Sequence, residues 1–269
     1  MNDTPTNDQR GTVPPARSMP VFAPLYAVGT ERASLDWLSV VYRTDPEVVE
    51  AVLPAPLTPD SEPEVIIWVA RFLTASFESD GQVVGELPSY EQGGVCVRST
   101  LRGESGAYPL VSYIAGLNHG FTGRELFGLP KKQAQRVELE VAGDAVRAEI
   151  LTTAQVPVVR IEGDLGPSTD RLVPDWFSRQ LSLKIIPRAD GRGFDVNRLV
   201  RIPFDFSDQA DVRAVDASVR LTPSGSDPLH LLPVRGVTRA AFGSTSLRVG
   251  YGEYLDEVNH FPTFGVPGT

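Results

Sequence analysis

The chain has 269 residues, of which 41% are hydrophobic and 22% are charged. This composition is typical of a globular protein rather than of a disordered or fibrous one. The formal net charge of -9 repels phosphate backbones and disfavours nucleic acid as a partner. No apolar run is long enough to span a bilayer, and the first residues lack the basic and apolar regions of a secretion signal. We therefore expect a cytoplasmic protein without a membrane partner.

The length permits one large domain with a core able to bury a site. Residues 1–20 are polar and rich in proline and threonine, which predicts a disordered tail or an arm that docks on a neighbouring subunit. Residues 21–269 contain no internal repeat and no long linker, so we predict a single domain there. The single cysteine, Cys96, rules out an intrachain disulfide and lies in an apolar run typical of a buried strand.

The first predicted elements are a strand at residues 38–42 and a helix that follows it directly. Thr44 and Asp45 offer a side-chain cap, and Pro46 suits the first helical turn. The apolar residues of this helix extend to Val52 before a proline ends it. The pattern predicts a short helix beside an early strand.

Strand patterns dominate the rest of the chain. The run at 65–70 is apolar throughout, which is typical of a strand buried on both faces. Apolar residues alternate with glutamates at 137–141, the period of a half-buried strand. The fold class is therefore mostly β (α+β): a curved antiparallel sheet or barrel with short peripheral helices. Further strands are predicted at 95–101, 110–115, 146–152, 182–186, 199–206, 212–221 and 237–251, with turns at 143–144 and 190–191.

The segment most informative about chemistry is residues 123–132, with the sequence GRELFGLPKK. An amine must be unprotonated to attack a carbonyl, and an ordinary lysine has a pKa of about 10.4. Burial and a neighbouring positive charge both lower that pKa. Apolar neighbours such as Phe127 supply the first effect for Lys131, and Lys132 supplies the second. On these residues alone the pair stays open to the other interpretation, a solvated surface pair, which is where most lysine pairs lie.

Other candidate residues are distributed along the chain. His119 can act as a general acid or base or hydrogen-bond a turn. Gln133 can donate a hydrogen bond to a substrate, and Tyr251 and Tyr254 can donate a phenolic proton or simply pack. The chain contains no zinc pattern, phosphate loop or dinucleotide fingerprint. We therefore expect neither a metal nor a cofactor.

Residues 123–126, Gly-Arg-Glu-Leu, and 130–132, Pro-Lys-Lys, resemble the active-site segment of the acetoacetate decarboxylase family. The similarity continues in order along most of the chain. It implies a cone-like antiparallel β-barrel that assembles into a homo-oligomer, as a dimer, tetramer or larger. The other matching segments are 41–45, 53–57, 183–187 with the turn at 190–191, and 232–234.

The resemblance also implies roles for individual residues. Lys131 takes the Schiff-base position and Lys132 the position of the neighbouring lysine. Glu91 falls where the family has an acidic pocket residue for proton transfer, although a solvated loop glutamate is the alternative. The family's substrate arginine is replaced near Leu35, and Arg32 fills that role only if the alignment shifts. The strand at 66–69 lacks the family's second pocket glutamate.

Three functions remain open from the sequence. The altered pocket positions favour an aldolase–dehydratase that condenses pyruvate or a similar 2-keto acid with an aldehyde through an enamine on Lys131. The alternative within the same chemistry is a true acetoacetate decarboxylase. The third is a non-catalytic barrel that binds a small molecule. For the first two, the expected partners are a small-molecule keto acid and, for aldol chemistry, an aldehyde.

Overall fold

The computed structural model describes residues 29–116 and 123–259. The tail predicted at 1–20 and the candidate His119 lie outside these ranges. No helix in the described part is long and apolar enough to cross a membrane. The elements are the strands β1 Thr30–Arg43, β2 Thr58–Pro59, β3 Glu64–Ser79, β4 Gln82–Leu87, β5 Tyr90–Leu101, β6 Glu104–Ile114, β7 Lys131–Ala142, β8 Ala145–Thr152, β9 Pro157–Ser168, β10 Arg179–Pro187, β11 Phe194–Leu221, β12 Gly236–Val249 and β13 Glu253–Glu257, the α-helix α1 Pro46–Val52, the π-helical turn Gly123–Phe127, and the 3-10 turns Asp175–Ser178 and Leu229–Leu231.

The strands form a single mixed sheet whose hydrogen bonding closes into a ring. The ring runs β6-β7-β8-β9-β11-β12-β1-β3-β5 and returns to β6. This confirms the mostly β fold class, but the sheet is not purely antiparallel, because β6 pairs in parallel with both β7 and β10. A parallel pair needs a crossover connection rather than a hairpin.

The strands predicted at 199–206 and 212–221 belong to one long element, β11. Asp208 and Asp211 within it have positive φ angles of 51° and 53°. The pairing of β11 with β12 shifts register on both sides of Ala210. The sequence prediction of two strands was therefore wrong: the polar residues between them form bulges, which bend a strand without ending it.

Helix α1 begins at Pro46, as predicted, but its predicted side-chain cap does not form. Asp45 is the residue before the first turn and makes no capping hydrogen bond. Its carboxylate instead accepts hydrogen bonds from Nε and Nη2 of Arg235, at 2.8 and 2.7 Å. The Arg235 guanidinium lowers the pKa of Asp45 below its usual range. The carboxylate thus joins α1 to the loop before β12.

The sheet separates two hydrophobic clusters. The first cluster packs α1 and β7–β9 against one face, and Leu38 and Tyr113 belong to it. The second cluster lies on the other face and contains Trp37, Trp68 and Phe177. Neighbouring residues of a strand point to opposite faces, so Trp37 and Leu38 enter different clusters. The same alternation sends the adjacent Lys131 and Lys132 to opposite faces of the sheet.

Trp37 is the centre of the second cluster. Its ring stacks on Trp68 with centroids 4.6 Å apart and an interplanar angle of 9°. It also meets the rings of Phe177 and Phe206 at 5.7 and 5.3 Å. We expect Trp37→Ala to lower the free energy of unfolding by about 3–5 kcal/mol in urea denaturation. Val83→Ala is the control, because this side chain is 56% exposed, and a common midpoint for both variants would contradict this view of the core.

Candidate active site

Lys131 is delivered to the site by a tightly bonded backbone segment. The N–H of Leu129 donates to the carbonyl of Gly123, and the N–H of Ser112 donates to the carbonyl of Pro130, both at 3.0 Å. Before Lys131, Gly123–Phe127 forms a π-helical turn. Lys131 then opens β7, in parallel register with Ser112 of β6. These bonds fix the direction in which the lysine leaves the sheet.

The amine of Lys131 meets an amide rather than a carboxylate. Its Nζ lies 3.4 Å from Oε1 of Gln92. Nε2 of Gln92 donates to the hydroxyl of Ser112 at 2.9 Å, which leaves the amide oxygen to face the lysine. Gln92 and Ser112 are both buried. The lysine nitrogen is therefore held by a neutral acceptor in an enclosed place.

A carboxylate and a phenol complete the group around the lysine. Burial lowers the pKa of Lys131, and the Glu31 carboxylate acts in the opposite direction. The hydroxyl of Tyr90 donates to Oε1 of Glu31 at 3.3 Å. Burial, followed by the Glu31 charge, raises the pKa of Tyr90 above its ordinary value. Because Tyr90 and Gln92 are two residues apart on β5, they share the face that meets Lys131 and Glu31.

Lys132 points away from this group. Its Nζ lies 2.5 Å from Oδ1 of Asp227 and 3.2 Å from the carbonyl oxygen of Ser226. The pKa of Lys131 is lowered by burial, so the lowering that the sequence attributed partly to Lys132 has a different cause. The physical reason is strand alternation, which places neighbouring side chains of β7 on opposite faces.

Glu91 also lies on the opposite face from the Lys131 group. Its Oε1 is 3.6 Å from Nε of Arg71, its directly paired neighbour on β3. The sequence analysis began this strand at residue 95, whereas β5 begins at Tyr90. The correct alternation gives the position beside the lysine to Gln92. Proton transfer by Glu91 therefore receives no support from its placement.

Arg32 also points away from the Lys131 group. Its Nε forms an ion pair with Glu78 at 2.7 Å, and its side chain is 57% exposed. On the same strand, Ala33 and Leu35 are buried in the second cluster. The charge of the guanidinium is thus balanced by Glu78 at the surface. To bind a substrate carboxylate, Arg32 would have to leave this ion pair.

The remaining candidates are Phe127, Gln133, Tyr251 and Tyr254. Phe127 is buried in the second cluster, as its apolar setting predicted. Gln133 is exposed and donates to the carbonyl oxygens of Gly116 and Ala134, both at 3.4 Å. Tyr251 and Tyr254 are about half exposed. The Tyr254 ring lies 5.5 Å from Nζ of Lys184, and that lysine donates to the carbonyl of Leu126 at 3.3 Å.

Comparison with known proteins identifies the family of the chain. The family model described as acetoacetate decarboxylase matches residues 18–258 of the chain. The chain belongs to the acetoacetate decarboxylase family. An acetoacetate decarboxylase of Burkholderia vietnamiensis is 31% identical over 247 residues, covering 89% of this chain and 94% of the relative. The family consists of lyases, so the chain is an enzyme of the lyase class rather than a non-catalytic barrel.

Solved structures share the fold at lower identity. The crystal structure of an acetoacetate decarboxylase from Legionella pneumophila superposes with a TM-score of 0.75 and 21% identity, covering 89% of this chain and 93% of that one. The enduracididine biosynthesis enzyme MppR, complexed with the condensation product of pyruvate and imidazole 4-carboxaldehyde, gives a TM-score of 0.72 at 14% identity, covering 91% and 98%. These likenesses concern the fold.

Four residues of the lysine group were missed in the sequence. Gln92 and Tyr90 were available from alternation, had β5 been extended back through the polar residues that precede Val95. Ser112 lies within the strand predicted at 110–115, and β6 forms a hairpin with β5, so its contact with Gln92 follows once β5 is extended back. Glu31 comes from the first residues of β1, where no local pattern points to a pocket. Glu31 reaches the group only through the sheet order β1-β3-β5.

The close packing of Gly123 against Lys131 gives a direct test of the geometry. A Cβ at residue 123 would lie 2.6 Å from Cε of Lys131. We expect Gly123→Ala to displace the lysine and to slow its reductive trapping with a ketone by about tenfold or more, because small misplacements of reacting groups are costly. Gly236→Ala is the matched control, since nothing lies within 4 Å of a Cβ there. Equal trapping rates measured by intact mass would contradict the placement.

Proposed function

We propose that the protein is a Schiff-base aldolase–dehydratase that condenses pyruvate or a similar 2-keto acid with an aldehyde. The observation that carries the proposal is a partly buried amine, Lys131, beside a neutral amide and close to the Glu31–Tyr90 pair. Burial favours the neutral amine that attacks a carbonyl. Glu31 supplies a proton acceptor, which enamine formation from pyruvate needs.

The steps balance with these groups and solvent water. Nζ of Lys131 adds to the ketone carbon, and the oxygen takes one proton from the amine and one from solvent and leaves as water, which gives an iminium. Glu31 takes a proton from the methyl group, and the electron pair forms the enamine. The enamine carbon bonds to the aldehyde carbon, whose oxygen takes a proton from the acid Glu31 or from Tyr90. Loss of a second carbon proton and of that hydroxyl as water gives the unsaturated product, and hydrolysis of the iminium frees Lys131.

Gln92 acts as a positioning residue in this proposal. Its amide oxygen contacts the amine, and Ser112 fixes the orientation of the amide. An amide accepts a hydrogen bond without adding the negative charge that would stabilise the ammonium form. We therefore expect Gln92→Glu, which adds a negative charge beside the amine, to raise the pKa of Lys131. The fraction of reactive neutral amine at neutral pH should fall.

Reductive trapping identifies the nucleophile. Borohydride added with pyruvate is expected to give one covalent adduct that maps by peptide mass spectrometry to Lys131. The chain has only three lysines, Lys131, Lys132 and Lys184, so the assignment is simple. Lys131→Arg should abolish the adduct, whereas Lys184→Arg is the control and should retain it. An adduct on Lys132 or Lys184 in the unmodified chain would refute the assignment.

Glu31 and Glu91 form a matched pair for the proton-transfer step. In deuterated water, Glu31→Gln should slow exchange of the pyruvate methyl protons by about 10²-fold, as loss of a general base does. Because the Glu31 carboxylate raises the pKa of Lys131, the same variant should shift the pH midpoint of trapping to lower pH. Glu91→Gln should alter neither quantity. Loss of exchange in Glu91→Gln with full exchange in Glu31→Gln would reverse the assignment.

A second candidate is acetoacetate decarboxylation, which the names of the curated relatives favour. The same iminium would receive the electron pair released with carbon dioxide, and no base is needed for that carbon step. Release of carbon dioxide from acetoacetate, lost in Lys131→Arg, combined with no methyl exchange in pyruvate would favour this function. For either reaction we expect a cytoplasmic homo-oligomer that acts on small-molecule substrates. Light scattering on the purified protein tests whether it assembles.

A further inference from the structure

A cavity of about 400 Å³ lies on the face of the sheet opposite to the Lys131 group. It opens where β6 and β10 separate: the two strands pair at Ala107 and Gln180, after which β6 continues beside β7 and β10 beside β11. Pro109 in β6 has no N–H to continue the pairing. The cavity is thus a consequence of how the strands divide.

The walls of this cavity are mainly aliphatic. They include Leu110 of β6, Leu183 of β10, Val52 at the end of α1 and Leu229 of a 3-10 turn. Its volume falls within the range of small-molecule sites. At roughly 30 Å³ for a water-sized group, it has room for about a dozen non-hydrogen atoms.

One end of the cavity is polar and is built around a buried carboxylate. The side chain of Asp227 is only 4% exposed. Its Oδ1 accepts hydrogen bonds from Tyr113 at 2.7 Å and from Lys132 at 2.5 Å, and its Oδ2 accepts one from Ser226 at 2.7 Å. Both oxygens are therefore occupied by donors.

Lys132 is the group that remains available to a ligand. In the described part of the chain its ammonium donates to Asp227 and to the Ser226 carbonyl, and an ammonium has three N–H groups. Its side chain is 43% exposed and lines the cavity. A hydrogen-bond acceptor at the end of an apolar molecule can reach the third N–H.

We propose that this cavity binds a neutral amphiphile: a short aliphatic body with one carbonyl oxygen that accepts a hydrogen bond from Lys132. The charge of the ligand follows from the site. An anionic headgroup would share one ammonium with the buried Asp227 carboxylate, and like charges at such distances repel. A cationic headgroup would face Lys132 itself. A neutral carbonyl meets neither penalty, and the aliphatic walls cover the rest of the molecule.

This site is separate from the Schiff-base group but shares a wall with it. Gly128 and Pro130 line the cavity, and the following residue is Lys131. A ketone probe would react with Lys131 and confuse the two sites. An ester has the carbonyl acceptor without that reactivity, so methyl hexanoate is a suitable probe and hexanoate is its charged counterpart.

Binding is measured by calorimetry and by amide chemical-shift changes in the full chain. We expect one equivalent of methyl hexanoate to bind, with shifts concentrated at Leu110, Leu183 and Leu229, and hexanoate to bind at least tenfold more weakly. Lys132→Met should weaken binding of the ester by about tenfold. Leu110→Trp should abolish it by filling the cavity, whereas Ile186→Trp, at a position outside the cavity, should not.

Several results would overturn the proposal. They are the absence of saturable ester binding to the unmodified chain, tighter binding of hexanoate than of its ester, and shifts located around Lys131 instead. The shift map of the unmodified chain keeps the test valid even if Leu110→Trp fails to fold. If Lys131 still traps pyruvate in the presence of the ester, the cavity is distinct from the proposed active site. Competition between the ester and pyruvate would also count against the proposed cavity site.

Discussion

The alternation of side chains along a β-strand is the constraint on which the two sites of this molecule depend. Lys131 and Lys132 are adjacent in sequence, yet strand geometry sends them to opposite faces of the sheet. Lys131 meets Gln92 among buried groups, and Lys132 meets the buried carboxylate of Asp227. Two chemically similar side chains therefore acquire different surroundings.

Burial and charge act against each other at Lys131. Removal from water disfavours the ammonium, whereas the Glu31 carboxylate favours it. The net direction is downward, so burial is the larger effect. This balance suits a nucleophile that must be neutral to attack and must later work beside a proton acceptor. Gln92 belongs to the same balance, because its amide holds the amine without adding charge. Lys132 has its own counter-ion and is not needed for the shift.

Much of the fold could be predicted from local patterns. The apolar run at 65–70 predicted a buried strand, and Pro46 predicted the start of α1; both are present. The single strand β11 was predicted as two strands, because the bulges at Asp208 and Asp211 look like turns in the sequence. The parallel pairing of β6 and β7 depends on a crossover, which periodicity alone does not reveal.

The candidate site was predictable only in part. The resemblance around residues 123–132 pointed to Lys131, and local burial agrees with a lowered pKa. Glu91 was assigned from its match to the family's acidic pocket residue. Because the strand was predicted to begin only at residue 95, the alternation that places Gln92 beside the lysine was not visible. Glu31 lies about a hundred residues before Lys131 in the chain, and only the closed sheet brings the two within electrostatic reach. Contacts of that separation carry no signature in a single sequence.

The ionisation of Lys131 is the most direct test of this account. With three lysines in the chain, carbon-13 labelling at lysine Cε gives three side-chain resonances, and Lys131→Arg assigns one of them. We predict that the Lys131 resonance titrates below the ordinary lysine pKa of about 10.4, both in the unmodified chain and in Lys132→Gln. A midpoint at or above that value, or one that returns to it in Lys132→Gln, would contradict burial as the cause.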